Sequence, residues 1–191
     1  MNISSGLLKG MPIASLEGNL VRPTKSSVRE ALFNILGQDL HGLSFLDLCA
    51  GTGVMGIEAL SRGVGVCGFV EADRRVYKTL SQNVNHALHR LENLLEEGSD
   101  LPKTYVKMEN YQAFLKRGYA FDILFFDPPH ADYEEKSWRL AGFSGCLKEE
   151  GTLVLEHARY YPKELPQELD GLKLIKTRKY GQSLLSFYQH G

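Results

Sequence analysis

From residue 44 onward, short apolar runs alternate with amphipathic stretches. "LSFLDLCA" is a mostly apolar run that predicts a strand, and "VMGIEALSRG" predicts a helix ended by Gly63. "VCGFVEA" reads as a second strand, followed by the helical pattern "DRRVYKTLSQNVNHAL" with Asp73 at its cap. "TYVKM" is a weak strand, "YQAFLKRG" a short helix and "FDILFF" a strong strand. "EEKSWRLAGFSGCL" looks helical, "GTLVLEH" is a strand, and "LKLIKTRKY" with "SLLSFYQH" can pair antiparallel. Strands alternating with helices predict a doubly wound α/β sheet, whose buried strands read as unbroken apolar runs. Upstream, "RPTKSSVREALFNILG" predicts a helix starting near Val28, capped by Ser26 or Ser27, with Val28, Leu32, Ile35 and Leu36 on its apolar face. Residues 1–24 read as a short β-ribbon or arm on a main domain spanning 25–191, with Gly6 and Gly10 at turns. The stretch 90–102 is a helix tail or surface loop.

At 191 residues, one domain with a small appendage is expected. Lys plus Arg is 22 against 23 for Asp plus Glu, so any phosphate-binding partner needs a local patch rather than an overall basic field. Lys9, Arg22, Lys25 and Arg29 form one basic group and Lys176, Arg178 and Lys179 another. Each is read either as a phosphate contact or as a solvated face. Cys49, Cys67 and Cys146 are too widely spaced for a metal or redox motif, and Cys49 and Cys67 fall in apolar runs that suggest buried free thiols. No metal is expected. With no signal-like or membrane-length apolar segment in view, the expected location is the cytoplasm and the default state a monomer.

The chemistry-bearing residues gather after the strands. Gly51, Gly53 and Gly56 fit G-x-G-x-x-G between a strand and a helix. Glu71 follows Gly51 by twenty residues at the end of the second strand, where an acid can accept both hydrogens of a ribose diol or simply be solvated. A dinucleotide or S-adenosylmethionine suits this frame. Asp47 favours the second, because a carboxylate beside a pyrophosphate meets like charge, whereas S-adenosylmethionine carries a sulfonium and an ammonium. A loop hydrogen bond is the competing role for Asp47. Asn110 can meet an adenine edge or cap the helix "YQAFL".

"FFDPPH" ends the fourth strand. Pro128 and Pro129 lack N–H groups and hold Asp127 extended. The segment is a turn or a rigid shelf of acceptors. As a shelf, the Asp127 carboxylate and the Pro128 carbonyl can take the two N–H bonds of an exocyclic base amine. His130 can stack on the base or take the released proton. Such a base must be flipped or unpaired to be reached.

"RPTKSSVREALFNIL", "FLDLCAGTGVMGIEALSRG", "FVEAD", "FDILFFDPPH" and "RKYGQSLLSFY" together resemble the RsmD-like family, bacterial methyltransferases acting on a guanine N2 of 16S rRNA in the small ribosomal subunit. The resemblance runs nearly full length, and "RPT…VREALFN" is its specific part. It implies a Rossmann-like methyltransferase fold of seven mostly parallel strands with a reversed C-terminal hairpin. It implies S-adenosylmethionine held by Asp47, Gly51, Gly53, Glu71 and Asn110, with Arg22 and Thr24 at the site and Arg29 close by. Asp127, Pro128 and His130 would hold the guanine, presented by an assembled or assembling subunit. His130 stands where Tyr or Phe is usual, Asn110 where Asp is commoner, and Cys49 where an aromatic is usual. Adenine-N6 methylation of DNA or RNA uses the same kind of shelf and is the alternative.

Overall fold

The computed structural model describes residues 1–15, 24–129, 138, 142–158 and 165–191. Eight strands form one sheet: β1 (Ser44–Leu48), β2 (Val66–Glu71), β3 (Lys103–Met108), β4 (Phe121–Phe126), β5 (Leu147–Ala158), β6 (Glu168–Leu169), β7 (Leu172–Tyr180) and β8 (Ser183–His190), in the order β3-β2-β1-β4-β5-β8-β7-β6. The first five run parallel, and β8, β7 and β6 then alternate antiparallel. The doubly wound sheet and its reversed hairpin match the expected architecture. The count is corrected from seven strands to eight by β6, a two-residue strand too short to carry a readable alternation.

Side-chain alternation sorts the core onto two faces. Phe45, Phe69, Phe125 and Val154 point to one face, covered by the N-terminal segment and helices α1 (Ser26–Leu36), α2 (Val54–Ser61) and α3 (Arg74–Leu94). Leu46, Leu48, Val70, Phe126 and Leu155 point to the other, against α4 (Tyr111–Leu115), Trp138 and Phe143. Burial on both faces explains why β1 and β4 read as continuous apolar runs. The proposed helix over 134–147 lies mostly outside the described residues; Ser144–Cys146 form a single 3-10 turn.

Helix α2 is buried along its whole length. Gly56 makes that possible, because a Cβ there would stand 2.2 Å from Cε1 of Phe69 on β2. Glu58, two residues further on, is fully buried and accepts from Ser4 N at 2.8 Å, Ser4 Oγ at 2.9 Å and Arg29 Nε at 3.2 Å, as well as from Arg62 Nη1. Arg29 also donates to the carbonyls of Thr24 and Asn2, each at 2.8 Å. One carboxylate therefore binds the N-terminal segment, α1 and α2 together. The Arg62 guanidinium lies 4.2 Å from the Phe33 ring centroid. Arg29 is thus not free for a phosphate, correcting the grouping proposed from sequence. Its place on the apolar side of α1, one residue after Val28, is what buries it. The cap of α1 is corrected too: Lys25 is the N-cap, with no side-chain bond, and Ser26 and Ser27 lie inside the helix.

The N-terminal residues form one antiparallel bridge, Asn2 to Pro12, and place Ile3, Leu8, Met11 and Ile13 in the first core face. Leu7 N donates to Ser61 O and Leu8 N to Ser61 Oγ, both at 2.8 Å.

Removing Glu58 leaves two buried guanidiniums without their carboxylate. Glu58→Ala is expected to lower unfolding free energy in urea by about 3–5 kcal/mol, and Glu58→Gln by less because it keeps an acceptor. A loss of less than about 1 kcal/mol for the alanine variant would contradict the bridging role.

Candidate active site

The strand order changes direction between β1 and β4: β2 and β3 lie on one side of β1, while β4 and β5 lie on the other. A crevice opens beyond the carboxyl ends of the strands at such a switch point. The loop after β1, the tip of β2 and the tip of β4 all meet this rim.

Two carboxylates shape the loop. Asp47, within β1, is 2% exposed, and its Oδ2 accepts from Gly56 N at 3.0 Å, in the first turn of α2. Glu71, the last residue of β2, accepts from Gly51 N at 2.9 Å through Oε2 and from Asp73 N at 2.8 Å through Oε1. The loop hydrogen bond proposed for Asp47 is therefore present. Each carboxylate oxygen has two lone pairs, so these bonds leave acceptor capacity for a ligand. Gly53 has φ of 80° at the N-cap of α2, a conformation that opposes any Cβ. Cys49 shares the left-handed region at φ 59° and is half-buried, where full burial was expected; Cys67 and Cys146 are buried. Past the end of β1, Cys49 still packs against the second core face but is only partly covered.

Burial raises the carboxyl pKa of both acids. For Asp47 desolvation pushes it well above the usual value of 3.8, opposed by the Gly56 N–H and helped by the charge of Glu71. For Glu71 desolvation pushes it above 4.5, opposed by backbone donors from Asp73, Gly51 and Ala72. A site that holds two acids away from water in this way favours a cationic ligand.

Asn110 caps α4, its Oδ1 accepting from Gln112 N at 2.8 Å, and its exposed amide group extends from the tip of β3. Asp127 and Pro128 follow β4 directly. Asp127 is half-buried, Pro128 buried and Pro129 exposed. Register extends from Asp47 beside Phe125 and Leu48 beside Phe126, so Asp127 stands next to the start of the glycine loop. Ile35 and Leu36, at the end of α1, line a groove with Thr152, which pairs with Ile123 of β4, and Gln189. Thr24, just before α1, is half-buried, and its carbonyl accepts from Arg29. Arg22 and His130 lie outside the described residues.

Two positioning residues escaped the sequence reading. Asn83 of α3, 4% exposed, donates to Thr52 O at 2.9 Å and to Ala14 O at 3.0 Å, tying the glycine loop to the N-terminal segment. Glu58 is the other. Each is a polar residue capable of several hydrogen bonds on a largely apolar helix face, and that is the signal that could have found them.

The sheet order, the glycine turn and the acid at the β2 tip define a Rossmann-like methyltransferase fold. The rRNA methyltransferase aviRa from Streptomyces viridochromogenes shares it at a TM-score of 0.67, covering 95% of this chain and 90% of that one at 14% identity. The family model described as "Conserved hypothetical protein 95" matches residues 1–189, and the chain belongs to that RsmD-like family. It is 32% identical over 190 residues to YlbH of Bacillus subtilis strain 168, covering 99% of this chain and 98% of that protein. It is 30% identical over 194 residues to the protein of Haemophilus influenzae named ribosomal RNA small subunit methyltransferase D, covering 100% of this chain and 94% of that protein.

The raised Asp47 carboxyl gives a sign that can be checked. The folded state holds its proton more tightly than the unfolded chain, so stability declines as pH rises above 3.8 toward the shifted value. Asp47→Asn keeps an oxygen for Gly56 and removes this decline. Melting curves of the two proteins are expected to coincide below the usual aspartate range and to diverge above it, with the variant the more stable. A variant less stable at pH 8 would show that the ionised carboxylate is favoured in the fold.

Proposed function

We propose that this protein transfers a methyl group from S-adenosylmethionine to the exocyclic N2 of a guanine in 16S rRNA. The observation that carries the reading is the Asp127-Pro128 pair after β4, near a glycine loop pinned by the buried Asp47 and the half-buried Glu71. Full-length membership in a family whose relatives carry rRNA methyltransferase names supports it. The donor set fits S-adenosylmethionine: acids rather than basic groups surround the loop, matching a cationic ligand without phosphates. Asp47, Gly51 and Gly53 would hold its methionine end, Glu71 the ribose and Asn110 the adenine, with Thr24 and Arg22 closing the site. When bound, S-adenosylmethionine supplies an electrophilic methyl on a sulfonium.

The chain's own residues prepare the acceptor. A guanine amine is a poor nucleophile because its lone pair is delocalised into the ring. The Asp127 carboxylate and the Pro128 carbonyl accept its two N–H bonds and draw the nitrogen out of planarity. The two prolines fix the direction of those acceptors before the base arrives, which contributes through positioning. Positive charge developing on nitrogen is stabilised by the adjacent carboxylate. His130 stacks on the base or takes the released proton.

The target base is unpaired or flipped, and the substrate is the assembled or assembling small subunit rather than a duplex. The protein works as a cytoplasmic monomer, with residues 1–24 as an arm of the main domain. Among the described residues no helix is long and apolar enough to cross a membrane.

Small subunits from an unmodified strain, incubated with labelled S-adenosylmethionine, digested and analysed by mass spectrometry, should yield N2-methylguanosine. Asp127→Ala should lower the rate by about 100-fold or more while leaving donor binding measured by calorimetry within about twofold. N6-methyladenosine as the product would replace guanine by adenine as the substrate, and full activity in Asp127→Ala would remove the shelf from the chemistry.

A further inference from the structure

Strand β5 carries an acid that the proposed chemistry has not used. Glu156 is 7% exposed, two residues before the described end of that strand. Parallel pairing sets Phe125 beside Val154 and Phe126 beside Leu155. Continuing this register one step, past the end of β4 at Phe126, brings Asp127 level with Glu156. Glu156 is also paired with Leu185 of β8, a member of the first core face. Alternation therefore directs its side chain to the face of Asp47 and Asp127, away from Leu155. Adjacent strands lie about 4.8 Å apart, so extending the register sets the two acids at neighbouring positions along the rim.

An apolar residue would suit this register position as Val154 suits its own. A carboxylate there carries a desolvation penalty, and a second acid beside it adds repulsion. Such a pair suits a ligand edge that presents consecutive donors. Guanine offers one: N1–H adjoins the N2 amine. Adenine offers an amine next to a bare N1 lone pair.

We infer that Glu156 accepts the N1–H of the target guanine and so selects guanine over adenine. The inference rests on the guanine-N2 reading above. Asp127 and the Pro128 carbonyl hold the amine, and Glu156 reads the adjacent ring nitrogen. Adenine in the same pose sets its N1 lone pair against a buried carboxylate, a facing of two acceptors that a polar site rejects strongly.

The test uses small subunits reconstituted with guanine or 2-aminopurine at the mapped target. 2-Aminopurine keeps the N2 amine and replaces N1–H with a lone pair. The wild-type protein should prefer guanine by about 30-fold or more in kcat/KM. Glu156→Gln, whose amide can donate to N1, should narrow that ratio by about tenfold. Glu156→Asp, which retracts the carboxylate, should narrow it through a slower guanine reaction. A ratio of two rates does not depend on the folded fraction of a variant. Ratios within about twofold of wild type in both variants overturn the inference while leaving the guanine reading standing. N6-methyladenosine as the product overturns the guanine reading itself, so the two failures are distinguishable.

Discussion

Two hydrogen bonds from backbone amides to carboxylates hold this site in shape: Gly56 N–H to the buried Asp47 and Gly51 N–H to the half-buried Glu71. They span the glycine turn from both sides, one anchored in β1 and the other at the tip of β2. The other ties on the loop include Gly53 N to Ala50 O, Ala50 N to Val70 O and the Asn83 amide to Thr52 O. The same acids are short of water, and their raised pKa values mean that the protein spends stability to keep them there. Strain of this kind is expected where a site is kept ready for a ligand of opposite charge.

The surrounding architecture exists to deliver three strand tips to one rim. The direction change between β1 and β4 opens the crevice, and burial of both sheet faces makes the tips rigid. The Glu58 network then fixes the elements that flank the opening. Through Arg29 it holds the Thr24 carbonyl, and through Ser4 it holds the N-terminal segment. Asn83 adds a direct tie from that segment to Thr52 in the loop. The arm and the loop are therefore one mechanical unit.

Much of the fold was legible because periodicity and punctuation agree: apolar runs gave β1, β2, β4 and β5, and Asp73 marked the start of α3. What was not legible depends on long-range pairing. Arg29 looks like a surface cation in sequence, and only its distance from Glu58 in the folded chain shows otherwise. Asn110 displays two roles with one residue type, and its Oδ1 takes the cap. The two-residue β6 has no pattern to detect. The candidate site was readable because its residues follow strand ends at motif spacing. Glu156 follows the same rule as Asp47, an acid in an apolar strand, and could have been singled out by it.

The open sides of the sheet explain a run of charge that composition leaves ambiguous. β3 ends the sheet on one side, and among the described residues β7 is uncovered beyond its short pairing with β6. Both carry basic residues at close intervals: Lys103 and Lys107 on β3, and Lys173, Lys176, Arg178 and Lys179 on β7. Unpaired strands invite addition of another chain, and lysines along them oppose it. The basic character of the C-terminal hairpin thus guards against end-to-end stacking of sheets, whatever else those side chains touch.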